Sequence, residues 1–225
     1  MGELLSKVIP LSLGAAISPT VLIVMLLVLS GRRAVARGAA FLVGVIVVLG
    51  GLTALGLLIS HASHESTIQV EITHAVDVVA GVLLLLLALG TVLKAVAAGR
   101  AGAAAVASDA EAEPDPERNA GILSAFLIGM AMMVSNFSTI LLYLPAMRTI
   151  SASTVATSDK FVAVIIAFVI TSLPATLPFG LRVGLPTASA KLLERMRAFT
   201  QRHAKEIGVA VELIFGVYLV LKGIR

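Results

Sequence analysis

The chain has 225 residues, of which 58% are apolar and 13% charged, with a mean hydropathy of +1.03 and a formal net charge of +4. Soluble domains carry about 25% charged residues, and a chain this apolar does not stay disordered. It has no cysteine, which excludes a disulfide framework, a thiol catalyst, a zinc ribbon and an iron–sulfur centre and leaves an integral membrane protein.

A bilayer core of about 30 Å needs about 20 apolar residues as a helix. Six stretches read as spans. The first, residues 8–29, carries no charge. It is too long for the apolar region of a cleaved signal, and five more spans follow, so it is expected to stay in the protein. Gly14-Ala-Ala-Ile-Ser18-Pro19-Thr20 places a polar break near its middle. A proline inside a helix removes an N–H and clashes with the preceding turn, and in lipid the freed carbonyls need partners.

The second span, 38–60, is uncharged. After it come His61, His64, Glu65, Glu71 and His74, whose spacing matches no metal-ligand pattern, so no metal is expected. The third span, 75–98, has Asp77 near its start, expected to complement a helix N-terminus, and Lys94 near its end. Residues 101–119 are Ala-rich and then acidic, with Asp109, Glu111, Glu113, Asp115 and Glu117. They cannot bury a core and read as a cytoplasmic linker.

The fourth span, 121–145, holds Gly129 and, near mid-span, Asn136 between Ser135 and Ser138. An amide in hydrocarbon is costly unless it faces protein, water or substrate. The fifth span, 161–181, contains Pro174 and Pro178, which read equally as a hinge and as a static kink. Gly14 and Gly129 join these prolines as expected breaks or hinges. Residues 187–205 place Leu192, Leu193, Met196 and Phe199 on one side at helical spacing. That pattern predicts a basic amphipathic helix on the inner leaflet. Lys191, Arg195, Arg197 and Arg202 are its lipid-surface contacts, each adding roughly 1 kcal/mol beside anionic lipid. The sixth span, 207–221, contains Glu212. An intramembrane carboxylate suggests a proton or charge relay; pairing with a basic residue such as Lys205 is the alternative.

Orientation follows from Lys and Arg in the loops. Twelve of the 17 lie in 30–37, 94–119 and 182–206, which share one membrane face; five lie on the other. The first set is expected to be cytoplasmic and both termini outside, in a bacterial inner membrane. The linker then separates a first three-span half, 1–100, from a second, 120–225. An odd number of spans per half makes the halves run in opposite directions, as in an inverted repeat. The expected fold is all-α and integral to the membrane, with six transmembrane helices as two inverted three-helix repeats. Polar breaks at matching depths, one per half, point to a central substrate pathway at Ser18, Pro19, Thr20, Ser135, Asn136 and Ser138.

Leu13-Gly14-Ala15-Ala16-Ile17-Ser18-Pro19, a long apolar run, Arg32-Arg33, and then Gly38-Ala39-Ala40-Phe41-Leu42-Val43-Gly44 resemble the opening of the LysE superfamily of exporters. Within it the chain is most similar to the GAP family, small six-helix proteins named for addressing glycopeptidolipids and sulfolipids to the mycobacterial surface. The resemblance places the family's Ser-Pro break at Ser18 and Pro19. It places an Asn-Pro break at Asn136, although Phe137 replaces the proline and Ser138 a frequent basic residue. It implies an exporter of lipid or lipid-linked material.

The chain has no phosphate-binding loop, nucleophile elbow or zinc-protease motif, so it is not expected to be an enzyme, and no cofactor is expected. The leading expectation is a secondary carrier or flippase-like exporter moving a lipid, glycolipid or other amphipathic molecule outward. The alternatives are a LysE-type exporter of amino acids or small cations, and a non-transporting subunit of a lipid-export complex. Expected partners are anionic inner-leaflet lipids, with a second copy of the chain or larger export machinery; nucleic acid is not among them.

Overall fold

The computed structural model describes residues 1–31, 33–62, 68–101, 121–185 and 189–224, with side chains described outside 59–76 and 94–120. The linker acids, Arg118, Thr187 and the side chains of Lys94, Arg100, His61, His64, Glu65, Glu71 and His74 lie outside the described residues. Among the described residues there are eight helices and no strand. They are α1 (Gly2–Ala16), α2 (Pro19–Ser30), α3 (Ala34–Ala62), α4 (Ile68–Ala101), α5 (Ile122–Val134), α6 (Phe137–Ala152), α7 (Thr157–Gly184) and α8 (Ser189–Ile224).

Three helices, α3, α7 and α8, are long and apolar enough to cross a bilayer. The pairs α1–α2 and α5–α6 bend by 53° and 70° at their breaks and raise the number to five if each pair is one span. At 1.5 Å per residue α2 is only ~18 Å long, so neither member of a pair reaches across ~30 Å of hydrocarbon alone. The described apolar stretch of α4, Asp77–Leu93, is shorter than a span. Length and composition thus support three to five spans where the sequence suggests six. Leu58, Leu86, Leu93, Phe161 and Ile214 stay exposed on the outer faces of their helices, as expected of surfaces solvated by lipid.

The interior is built by α4 packed along α8, α3 along α5, and α1 against α6 and α7. Small residues set these crossings, because lipid supplies no hydrophobic drive and close van der Waals contact must hold helices together. Gly129, expected as a hinge, lies inside α5 against the Phe41 carbonyl of α3. Gly44 lies against the Phe126 carbonyl, and a Cβ there would stand 3.0 Å from the Met130 nitrogen. Gly14 is likewise inside α1, where a Cβ would meet the Phe215 ring at 2.6 Å. Gly14, Gly44 and Gly129 are all points of close approach between helices. Backbone cannot move aside as a side-chain tip can. Gly44→Val is therefore expected to cost at least the ~1–3 kcal/mol typical of overpacking, read as a lower melting temperature in detergent, whereas Gly50→Ala, at a position with open space, should melt near the parent.

One expectation, that for Asp77, is corrected, and two others gain detail. Pro174 and Pro178 lie within a continuous α7, with no broken helix at either position. Asp77 is not in the first turn of its helix but well inside α4. Its carboxylate sits 2.8 Å from Lys222 Nζ, which also donates to Thr149 Oγ1 at 3.4 Å. The basic segment 189–205 is continuous with the last span: α8 runs 36 residues, ~54 Å, so its first turns extend beyond what a ~30 Å core can hold.

Candidate functional site

The two breaks meet at the centre of the bundle. In the first, Pro19 disfavours helical geometry at the residue before it, and Ser18 adopts an extended conformation (φ −120°, ψ 94°). Ser18 then caps α2, its Oγ accepting from Val21 N at 3.4 Å. Pro19 falls at the first helical position, where its missing N–H is harmless to α2. The cost falls on α1. In an unbroken helix the Ala15 carbonyl would accept from the residue four ahead, which is Pro19. Thr139 Oγ1 of α6 supplies that donor at 2.9 Å, and Thr171 Oγ1 of α7 reaches the Ser12 carbonyl at 3.5 Å.

The second break has no proline. Asn136 leaves the helical region (φ −86°, ψ 77°) and caps α6, its Oδ1 accepting from Thr139 N at 3.4 Å. Its amide also donates to Ser18 Oγ at 2.6 Å. One side chain therefore caps its own helix and holds the cap of the other half. The N-termini of α2 and α6 converge here, and their partial positive charges face the same point. A cavity of ≈ 10 Å³ lies between them, bordered by Ser18, Asn136, Thr139, Thr171 and Ser172. That is about one water's worth of room. The centre is closed.

Glu212 meets α6 two residues after Asn136. Its Oε1 accepts from Ser138 Oγ at 3.2 Å, and its Oε2 is buried without a hydrogen-bond partner among the described residues. The carboxylate thus meets the first turn of α6 rather than Lys205.

The structure joins Ser18 to Asn136 and Ser138 to Glu212, and of the six expected pathway residues only Ser18 and Asn136 border the central cavity. Thr20 and Ser135 are exposed and do not border the cavity. Thr20 is turned away by the helical register of α2, and Ser135 is the C-cap of α5. Ser12 and Thr139 were not expected. Thr139 was discoverable, since it sits three residues after the N-cap Asn136, where a capped N–H belongs. Lys191, Arg195 and Arg202 are exposed on the first turns of α8, while Arg197 is half-buried.

Two larger cavities flank these turns. One, ≈ 390 Å³ and almost wholly apolar, runs from Ser18 and Pro19 past Pro174 and Pro178 to Met196 and Phe199. The other, also ≈ 390 Å³, is bordered by Leu29, Ser30, Arg182, Glu194 and Arg197.

No curated protein and no solved structure matches the chain. Residues 8–225 match the family model described as Sap, sulfolipid-1-addressing protein, in agreement with the resemblance in the opening residues. The chain belongs to the sulfolipid-1-addressing protein family.

Proposed function

We propose that this protein is an exporter that carries a lipid, glycolipid or other amphipathic molecule outward by alternating access between two inverted repeats. The observation that carries the reading is the Asn136–Ser18 hydrogen bond, which joins the polar breaks of the two halves at a closed centre. Broken helices whose N-termini point at a central site are how carriers hold anionic substrate groups.

The repeat reading is supported by element order and packing. Each half gives a bent pair and then two long helices, and the pairings exchange between halves: α1 packs on α7 as α5 packs on α3, and α4 packs on its counterpart α8. Amphipathic cargo is supported by the lining of the central cavity, which contains no charged side chain. A small ion or zwitterion would meet a barrier of at least ~2.5–3.5 kcal/mol per unpaired charge in hydrocarbon. A lipid leaves its tails in the bilayer while only the head group passes. In this reading Glu212 relays a proton or offsets charge beside Ser138. The basic first turns of α8 face the cytoplasm and meet anionic lipid, and the protein is a carrier rather than a catalyst.

Purified protein in liposomes, given labelled lipid or labelled amino acids, tests this. Movement of lipid between leaflets by the protein alone is expected. Amino-acid transport without lipid movement would favour the LysE-type alternative, and movement of neither would favour a subunit of a larger machine.

A further inference from the structure

The seam between α2 and α7 runs from the central break to the end of the bundle that carries Arg182. Pro19, Leu22, Leu26 and Leu29 form one stripe of α2, and Pro174, Pro178 and Arg182 recur every four residues as one stripe of α7. The first turns of α8 close over this seam and divide it. Met196, Phe199 and Thr200 border the apolar cavity next to the break; Leu193, Glu194 and Arg197 border the cavity at the basic end. The two faces of α8 are adjacent, so the cavities follow one another along the same seam.

The seam has the polarity of an inner-leaflet lipid. Its charged end lies where the basic residues gather, and its apolar end reaches towards mid-bilayer. From Arg182 to Pro174 is ~12 Å along α7, and ≈ 390 Å³ of apolar space falls within the ~300–1,000 Å³ range of small-ligand sites. The charged end is bordered by Arg182, Arg197 and Glu194. A guanidinium fork matches a phosphate- or sulfate-like head group in two parallel hydrogen bonds.

We propose that the α2–α7–α8 seam binds one singly anionic lipid drawn from the inner leaflet, its head group on Arg182 and Arg197 and its acyl chain along Leu22, Leu177, Pro178 and Phe199. This rests on the export reading for its sidedness. The chain end would then lie beside Ser18 and Pro19, so the seam leads from the leaflet to the closed centre.

The chain has no tryptophan, so Leu177→Trp supplies a single tryptophan at the seam, excited selectively over the two tyrosines. In nanodiscs of the full-length protein, quenching by brominated phosphatidylglycerol is expected to exceed quenching by brominated phosphatidylcholine at least twofold at equal mole fraction. Leu86→Trp, on the exposed face of α4, should show no preference. Arg182→Gln with Arg197→Gln should bring the ratio at position 177 to one, and the corresponding lysine pair should keep part of it. Equal quenching by the two lipids at position 177, with the arginines present, overturns the proposal. Lipid movement scored separately in liposomes keeps the two readings apart. Export with equal quenching removes the seam site alone; preferential quenching without export removes the export reading alone.

Discussion

Asn136→Leu is expected to lower export about tenfold or more while the protein still folds and reaches the membrane. The leucine removes three things at once: the amide donor to Ser18, the acceptor for Thr139 N, and a polar wall of the central cavity. Losing an N-cap costs about 0.5–2 kcal/mol, and a buried polar group left without a partner costs about 1–3 kcal/mol. The loss of rate comes from the polar path that the head group must cross, where a barrier raised by ~1.4 kcal/mol is already tenfold. Asn136→Asp separates the contributions. Its carboxylate keeps the cap on α6 but has no N–H for Ser18, so export should fall to an intermediate level. Transport rates are to be read against the amount of folded protein in the membrane. Unchanged export by a well-folded Asn136→Leu protein would mean that the two breaks are kinks and nothing more.

Much of this centre could be read in the sequence. A proline or an amide in the middle of an uncharged apolar run announces itself, because hydrocarbon leaves few reasons to keep either. The breaks at Ser18-Pro19 and Asn136 stand out on that ground, and Ser18 and Asn136 are hydrogen-bonded to each other. The neighbours that satisfy the breaks were harder to see. Thr139 and Ser12 make ordinary intrahelical sense; the part of Thr139 depends on α6 crossing the end of α1, a contact between residues 124 apart, and that of Ser12 on Thr171 of α7. Thr20 and Ser135 were drawn in by adjacency alone, and the helical register turns both away. Glycine was ambiguous for a related reason. Gly14 and Gly129 sit near the breaks in sequence, yet what demands them is a partner on another helix, Phe215 in one case and the Phe41 backbone in the other.

Pattern also gave the amphipathic character of 189–205 without its continuity. Charge spacing assigns a face to a helix but does not say where the helix stops, and nothing after Lys205 breaks the backbone before Ile224. The pairing of Asp77 with Lys222 was invisible for the opposite reason. Each charge lies near a span end and looks solvated, and only the packing of α4 along α8 brings them together.

The central claim is that the two halves must part at the breaks for cargo to pass. A cross-link there tests it most directly, and the cysteine-free chain makes the test clean. Ala15 and Thr139 are neighbours across the two halves, with Thr139 Oγ1 2.9 Å from the Ala15 carbonyl. Ala15→Cys together with Thr139→Cys introduces the only thiols. Oxidation is expected to join α1 to α6 with the centre closed and to abolish lipid movement in liposomes. Reduction should restore the rate of the reduced double variant, and neither single variant should respond to oxidant. Export by the fully cross-linked protein at the reduced rate would contradict the account.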